Sequence, residues 1–178
     1  MKDAIQIITL PPSRWREYKT LRLHAIMQDP YAFERTYDED AALPDSAWKQ
    51  SLRDAQDGKN HYLLFAEHSG ILVGMAEALV EDNKITQHRA RVISVYVLLE
   101  AQKKSLGKML MTALLEKLEQ DQRITLATLL VNEQQLEAIK LYESAGFKSI
   151  GTIEQALCFN GECHNSALMT KVLKVTAP

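Results

Sequence analysis

The sequence predicts a mixed α/β fold in a single domain, residues 1–178. Three observations lead to this prediction: two helix patterns near the start, antiparallel strands joined by tight turns, and a strand–helix–strand–helix succession closed by a hairpin. The chain is 46% hydrophobic and 25% charged, which is typical of one globular domain and too apolar for intrinsic disorder. No repeat or linker divides the sequence.

Two helices are expected in the first third of the chain. A β-rich run from Ile5 to Leu10 precedes a helical pattern for which Ser13 is the expected N-cap. Asp29-Pro30 ends this helix, because a residue before proline disfavours helical backbone. Residues 30–43 are expected to form a loop rich in aromatic and acidic side chains. A second helix is expected to start near Pro44-Asp45-Ser46.

Apolar runs predict the strands of a sheet, and a 3.6-residue periodicity predicts two helices inserted between them. His68-Ser69-Gly70 and Asn160-Gly161 are hairpin signals, and Gly146 suits the end of the second inserted helix. The expected elements are strands Tyr62–Glu67, Ile71–Val80 and Arg91–Leu98, a helix through Leu106–Leu118, strand Ile124–Val131, a helix from about Glu133 to Ala145, and strands at about 150–159 and 162–174.

The charge balance argues against nucleic acid and membrane partners. Lys and Arg number 21 against 23 Asp and Glu, a net charge of −2, so no overall field attracts the chain to polyanions or anionic lipid. No apolar run approaches the ~18 residues of a membrane span, and the first apolar stretch is too short for a signal peptide. We therefore expect a cytoplasmic protein.

The two cysteines, Cys158 and Cys163, are too few for a secreted disulfide framework. A turn at Asn160-Gly161 makes them cross-strand neighbours on one face of the hairpin. We expect two reduced thiols there, with a redox bridge as the lesser alternative. No metal site is expected, because this Cys-x4-Cys-His cluster lacks further ligands and paired positions suit zinc poorly.

The turn between the third strand and the following helix is a candidate anion site. It runs from Gln102 to Lys108, and the first turn of a helix offers unpaired amides and the positive end of the helix dipole. Lysines add positive charge, and the small residues Ser105 and Gly107 allow a close approach of the ligand. The alternative is a plain turn with solvated lysines. Neither a Walker loop nor a Gly-x-Gly-x-x-Gly fingerprint is present.

Two motifs together resemble the GCN5-related N-acetyltransferases. Gln102-x-x-Ser105-x-Gly107 matches the family's Gln/Arg-x-x-Gly-x-Gly/Ala cofactor motif after the central strand. Asn132 followed by the segment Ala138–Phe147 matches its later motif, Asn and then Ala-x-x-Leu/Phe-Tyr-x-x-x-Gly-Phe. The match is close over residues 92–147, and the flanking elements fit in order and length. More loosely, Asp29-Pro30-x-Ala32-Phe33 resembles one branch of small bacterial-type members.

The resemblance implies a central, mostly antiparallel sheet flanked by helices, which splays between its fourth and fifth strands to hold acetyl-CoA. Ser105 stands where the family has its first glycine; a serine can cap a helix, but it is costly if the site needs a positive φ. We therefore expect weakened CoA binding. The implied contacts are Val95, Tyr96 and Val97 with the thioester and pantetheine arm, amides of Gln102, Lys103, Lys104, Ser105, Leu106, Gly107 and Lys108 with the pyrophosphate, Asn132 with the pantetheine, and Tyr142 near the sulfur.

The expected activity is transfer of an acetyl group to a primary amine of a small molecule or peptide by direct attack in a ternary complex. The oxyanion needs a donor, for which an N–H beside Val97 is suitable, and the leaving thiolate needs a proton, which the Tyr142 phenol can supply. A core position of Tyr142 is also compatible with the sequence, although we favour the catalytic role. Glu77, inside an apolar strand, is either the general base, directly or through water, or a surface residue. His88 is a second candidate base.

The acceptor cannot be identified from the sequence. The aromatic and acidic segment 30–40 (Tyr31, Phe33, Glu34, Tyr37, Asp38 and Glu39) either lines the acceptor pocket and attracts a cationic amine or forms a solvated loop. Residues 158–174 are apolar enough to permit a homodimer. The alternative function is a non-catalytic acyl-CoA-binding or interaction domain with the same fold, and a nucleotide-binding Rossmann domain is a distant third.

Overall fold

The computed structural model describes residues 4–174, without the side chains of Lys103 and Lys104. Within that range the chain forms seven strands and five α-helices, with short 3-10 turns between some of them. The strands are β1 (Gln6–Ile8), β2 (His61–His68), β3 (Ile71–Val80), β4 (Arg89–Val97), β5 (Leu126–Asn132), β6 (Lys148–Phe159) and β7 (Glu162–Val172). The helices are α1 (Trp15–Gln28), α2 (Tyr37–Ala41), α3 (Asp45–Asp57), α4 (Leu106–Gln120) and α5 (Leu136–Ser144).

One sheet runs through the molecule in the order β1-β2-β3-β4-β5-β7-β6. All neighbouring strands are antiparallel except β4 and β5. The parallel pairing of β4 with β5 is confined to the segment Arg89–Arg91 opposite Leu126–Thr128. Beyond it the two strands diverge, so the sheet splays open at its centre. This confirms the predicted fold class.

Two apolar cores cover the two faces of the sheet. On one face, α4 is buried through Leu106, Leu110 and Leu114, and Tyr142 of α5 joins that core. On the other face, α1 and α3 pack Tyr18, Trp48 and other side chains against β2 and β3. The leucine periodicity that predicted α4 is thus its buried stripe. None of the described helices is long and apolar enough to cross a membrane.

Two details in the first third of the chain differ from the sequence-based expectations. Ser13 lies inside a 3-10 turn, Pro12–Arg14, so it does not cap α1, which begins after Arg14 without a side-chain cap. Residues 30–43 are not only loop: they contain α2, whose start is held by a capping box between Thr36 and Glu39.

The hairpin prediction was confirmed, but the thiol prediction was wrong. Asn160 and Gly161 form the turn with φ values of 50° and 82°, the left-handed pair that a tight hairpin needs. Cys158 therefore lies directly opposite Cys163, as expected. At that register the two sulfurs form a disulfide rather than two reduced thiols. The described residues contain no group of His, Cys, Asp or Glu arranged to hold a metal ion.

Candidate active site

The divergence of β4 and β5 opens a cavity of about 1140 Å³. Its walls come from β4, through Ser94, Val95, Tyr96 and Val97, and from the far end of β5 at Asn132. Helix α1 and the turn after it close one side, and α5 closes the other. The cavity therefore passes through the sheet and connects its two faces.

The wall formed by β4 contains an irregularity that shapes the cavity. Met75 pairs with Tyr96 and Glu77 with Ile93, so the two residues Ser94 and Val95 lie opposite a single residue of β3. Ser94 takes up the extra length with a φ of 53°. A bulge of this kind twists and re-aims a strand, and here it places the Ser94 side chain in the cavity wall.

The turn before α4 has the geometry of an anion site. Ser105 precedes the helix with φ 56° and ψ 22°, a left-handed conformation, and its hydroxyl makes no capping bond. The first intrahelical bond runs from Met109 N to Ser105 O at 3.0 Å, so the amides of Leu106, Gly107 and Lys108 precede it. The sequence left two possibilities for Ser105, a helix-capping serine or a serine strained by a positive φ. The structure shows the strained backbone conformation.

Other residues of this turn have structural partners. The Gln102 amide donates to Val97 O at 3.2 Å and thereby holds the turn against the end of β4. A Cβ on Gly107 would lie 3.0 Å from Leu141 Cδ2, so this glycine makes room for α5. Lys108 is exposed. The predicted lysine side chains at 103 and 104 lie outside the described residues.

Tyr142 combines a core position with access to the cavity. It is 8% exposed and packs edge-on against Phe147, with ring centroids 6.2 Å apart. It also lines the cavity. Burial raises the pKa of Tyr142 well above its ordinary value, which keeps the phenol protonated at neutral pH. The two sequence-based interpretations of this tyrosine are compatible with each other.

The Asn132 side chain is held at the end of β5 by two hydrogen bonds. Gln134 N donates to Asn132 Oδ1 at 3.0 Å, and Asn132 Nδ2 lies 2.9 Å from His164 Nδ1. Because the Asn132 oxygen accepts from Gln134, its nitrogen is the donor to His164. His164 in turn stacks on Tyr31 with ring centroids 3.9 Å apart. Asn132 is thus oriented before any ligand arrives.

Glu77 lies at the centre of a buried polar network. Ser94 Oγ donates to Glu77 Oε2 at 2.7 Å, and His61 Nε2 lies 2.7 Å from Glu77 Oε1. Arg22 donates to Ser94 Oγ and, at 3.0 Å, to Asp40 Oδ2. Burial opposes ionisation of Glu77, but the hydrogen bonds and charges of His61, Arg22 and Ser94 outweigh it and lower the pKa of Glu77.

Only some residues of this buried network line the cavity. Among the described residues, Ser94 and Arg22 line the cavity, whereas Glu77 and Asp40 lie behind them. Glu77 is therefore neither a residue of an exposed surface nor in the cavity wall itself. The other candidate base, His88, is exposed and is not among the lining residues.

Two of the four acidic residues in the segment 30–40 are paired with arginines. Glu34 lies in the cavity wall but pairs with Arg91 at 2.6 Å. Asp40 is buried between Arg22 and Arg35. Tyr31 and Phe33 also line the cavity, as the sequence suggested; Tyr37 faces a smaller cavity beside it, and Asp38 and Glu39 line neither.

The sequence matches the profile of the acetyltransferase (GNAT) family over residues 21–147. The chain belongs to the GNAT family. The matched segment contains both motifs, from Gln102 to Phe147, together with the strands β4 and β5 that flank the opening. No curated protein is similar enough in sequence to match this GNAT chain.

Solved acetyltransferases share the fold of this GNAT chain at low sequence identity. A GNAT acetyltransferase from Streptococcus pneumoniae superposes with a TM-score of 0.86 at 18% identity, over 96% of this chain and 99% of the other. A ribosomal-protein-alanine N-acetyltransferase from Brucella melitensis gives 0.80 at 21% identity, over 94% and 99%. A phosphinothricin acetyltransferase from Sinorhizobium meliloti, in complex with acetyl-CoA, gives 0.77 at 17%, over 100% and 94%.

The fold brings six of the sequence-predicted site residues of this GNAT chain to one cavity: Val95, Tyr96, Val97, Gln102, Asn132 and Tyr142 line it. Glu77 and the segment from Ser105 to Lys108 are not among the lining residues. Sequence reasoning missed Arg22 and Ser94. One signal was available for Arg22, since it follows Leu21 inside the apolar stripe of α1, where a charged residue needs a buried partner. Ser94 had no local signal beyond a polar residue in an apolar strand.

Proposed function

We propose that this chain is an acetyl-CoA-dependent N-acetyltransferase that acts on a primary amine of a small molecule or a peptide, by direct attack in a ternary complex. The observation that carries the proposal is the cavity at the β4–β5 opening, which is lined by the buried, protonated Tyr142 and by Gln102 at the start of the turn before α4. Cytoplasmic location and a homodimer through the last strands stay predictions.

The opening suits the pantetheine arm of acetyl-CoA. Because β5 leaves β4 after Arg91, the backbone from Val95 to Val97 is free of that neighbour. Pantetheine is an extended chain with amide groups, and such a chain can pair with an exposed strand edge as a further strand would. Asn132, already oriented by His164, faces the same opening and offers an amide to the arm.

The turn before α4 suits the pyrophosphate. Amides at the start of a helix and the positive end of its dipole both favour an anion. The left-handed Ser105 turns the chain directly into the first turn of α4, so that the amides of Leu106, Gly107 and Lys108 follow in sequence. We assign the pyrophosphate to these amides together with those from Gln102 to Ser105.

The chemistry divides between the two faces of the sheet. The acceptor amine enters from the face of α1 and attacks the thioester carbonyl, whose developing negative charge accepts a hydrogen bond from an N–H beside Val97. Tyr142, on the face of α5, donates its phenolic proton to the leaving thiolate. Glu77 is the general base; being ionised at neutral pH, it is in the state that can accept a proton.

Calorimetric titration with acetyl-CoA, followed by release of free CoA thiol in the presence of amines, tests this function. The acceptor panel is spermidine, glucosamine and an alanyl tripeptide. We expect binding, and thiol release with at least one amine together with a mass increase of one acetyl group on that amine. Absence of binding at millimolar acetyl-CoA would refute the proposal, and binding without transfer to any amine would favour the non-catalytic acyl-CoA-binding alternative.

Replacing Tyr142 by Phe tests the proton donor without emptying its core position. We expect kcat to fall by about a hundredfold, the usual range for a lost general acid, while the dissociation constant for acetyl-CoA changes little. Tyr62→Phe is the matched control, because the Tyr62 hydroxyl bonds Asp121 outside the cavity. An unchanged kcat in Tyr142→Phe would remove Tyr142 from the mechanism.

A further inference from the structure

We propose that Ser94 relays the proton of the attacking amine to Glu77, so that a serine in the cavity wall is the group through which the buried carboxylate acts as base. This inference rests on the proposed function and names the residue that contacts the acceptor. It concerns a residue outside both family motifs of this sequence.

The relay follows from which side chains reach the cavity. Glu77 is 7% exposed and lies behind the wall, so an amine in the cavity does not meet its carboxylate directly. Two lining residues contact it: Ser94 donates a hydrogen bond from Oγ to Oε2 at 2.7 Å, and Arg22, which cannot accept a proton, pairs with Oε2 at 3.8 Å. Ser94 lies at the β-bulge with a positive φ, in the cavity wall, and its hydroxyl is bonded to the carboxylate behind that wall.

The hydrogen-bond directions around Ser94 suit a relay. Ser94 Oγ gives its only proton to Glu77 and accepts one from Arg22 Nη1. A hydroxyl oxygen has a second lone pair, which is left to accept an N–H of the amine. The Arg22 guanidinium stabilises negative charge on Oγ, and His61 holds the far oxygen of Glu77 at 2.7 Å. The carboxylate is therefore fixed in position while it takes up a proton.

The relay moves one proton from the amine to Glu77 while the acetyl group is transferred. The amine nitrogen forms a bond to the thioester carbonyl carbon, and the C–S bond breaks with its electron pair on sulfur. One N–H proton passes to Ser94 Oγ while the Ser94 proton passes to Glu77 Oε2. The thiolate takes its proton from Tyr142. Solvent then removes the proton from Glu77 and returns one to Tyr142, so amine and acetyl-CoA give amide and CoA with no further reactant.

The test compares Ser94→Ala, Glu77→Gln and the double variant, with Ser94→Gly as a second hydroxyl-free variant whose backbone accepts the positive φ. Ser69→Ala is the matched control, since Ser69 has a φ of 52° in the β2–β3 turn outside the cavity. Acetyl-CoA affinity is measured by calorimetry for every variant. Turnover is measured with the best amine of the panel and, as thiol release, without any amine.

We expect Ser94→Ala, Ser94→Gly and Glu77→Gln each to lower kcat by about a hundredfold with unchanged acetyl-CoA affinity. The kcat of the double variant should be no more than about threefold below that of the slower single variant, because removing either residue already interrupts the relay. Thiol release without amine should fall in parallel, since attacking water must also lose a proton.

Two results would overturn the relay. One is that the Ser94 variants keep a kcat within about threefold of that of the unaltered chain, or keep a rate of thiol release without amine within that range. The other is a loss of kcat in the double variant equal to the product of the two single losses, which would mean that the two residues act separately. Failure of the unaltered chain to bind acetyl-CoA would instead refute the proposed function, so the two failures are distinguishable.

Discussion

Ser105 has a left-handed backbone conformation that is unfavourable for a residue with a side chain. Its φ of 56° lies in the left-handed region, where a β-carbon is crowded by the following carbonyl oxygen. The hydroxyl does not compensate with a capping bond. The family motif has a glycine here, and the geometry explains why, because a glycine adopts this conformation without steric cost.

Replacing Ser105 by Gly should therefore stabilise the protein. We expect a gain of about 0.5–1 kcal/mol in the free energy of unfolding, since the relief of strain exceeds the entropy cost of the glycine. Acetyl-CoA affinity should be unchanged or higher. Urea unfolding and calorimetry measure the two quantities.

The reverse substitution elsewhere is the control for Ser105→Gly. Gly58 ends α3 with a φ of 64°, and a Cβ there would meet nothing within 4 Å. Gly58→Ser should lower stability by a similar amount, about 0.5–1 kcal/mol, through backbone strain alone. A loss of stability in Ser105→Gly would show that the serine side chain has a stabilising partner.

At the scale of elements, the packing of β3 against β4 sets the wall of the cavity. Gly74 of β3 lies opposite Val97, and a Cβ on it would come within 2.8 Å of Tyr96 O and 3.1 Å of Leu110 Cδ1. The backbone carbonyl cannot move away without shifting β4. The absence of a side chain at Gly74 thus allows β4 to lie where its edge bounds the opening.

Gly74→Ala should damage both stability and cofactor binding. We expect a loss of about 1–3 kcal/mol in the free energy of unfolding, the usual cost of an overpacked position, and weaker acetyl-CoA binding because β4 is displaced. Gly151→Ala on β6 is the control, since a Cβ there meets nothing within 4 Å. Equal acetyl-CoA affinity in Gly74→Ala and the unaltered chain would contradict this account of the wall.

For the molecule as a whole, the buried network joins elements on one face of the sheet. Arg22 of α1, Asp40 of α2, His61 of β2, Glu77 of β3 and Ser94 of β4 all belong to it. The pKa of Glu77 is below its ordinary value of 4.5 in the folded protein. Ionised Glu77 therefore stabilises the fold above that value, and the contribution disappears as the pH falls through its folded-state pKa.

The stability difference between the unaltered chain and Glu77→Gln should depend on pH. We expect it to be largest near pH 7, up to about 3 kcal/mol for a broken buried pair, and to shrink as the pH falls below 4.5. Urea unfolding across this range measures it. Glu81→Gln is the control, because Glu81 pairs with Arg89 at the surface, where solvent screens the pair. A difference that grows on acidification would contradict the assigned ionisation.

Local features of the chain were predictable from the sequence. Asn160-Gly161 determines its hairpin through two residues, and the leucines of α4 determine its buried face, because both depend on neighbours a few positions apart. The capping box from Thr36 to Glu39 is equally local, and its Thr-x-x-Glu pattern was visible in the sequence although a loop was predicted there.

The sequence by itself determined the family, the succession of elements and the motif residues around the opening. Only the tertiary structure decided which charges are neutralised and which polar groups meet. Arg22 and Ser94 are 72 positions apart, and Glu34 meets its arginine across 57 positions. Two acids of the segment 30–40, Glu34 and Asp40, are therefore paired with arginines, and Glu77 contacts the cavity wall through Ser94 and Arg22. Electrostatic interactions depend on distance and burial in space, which the order of residues along the chain does not contain.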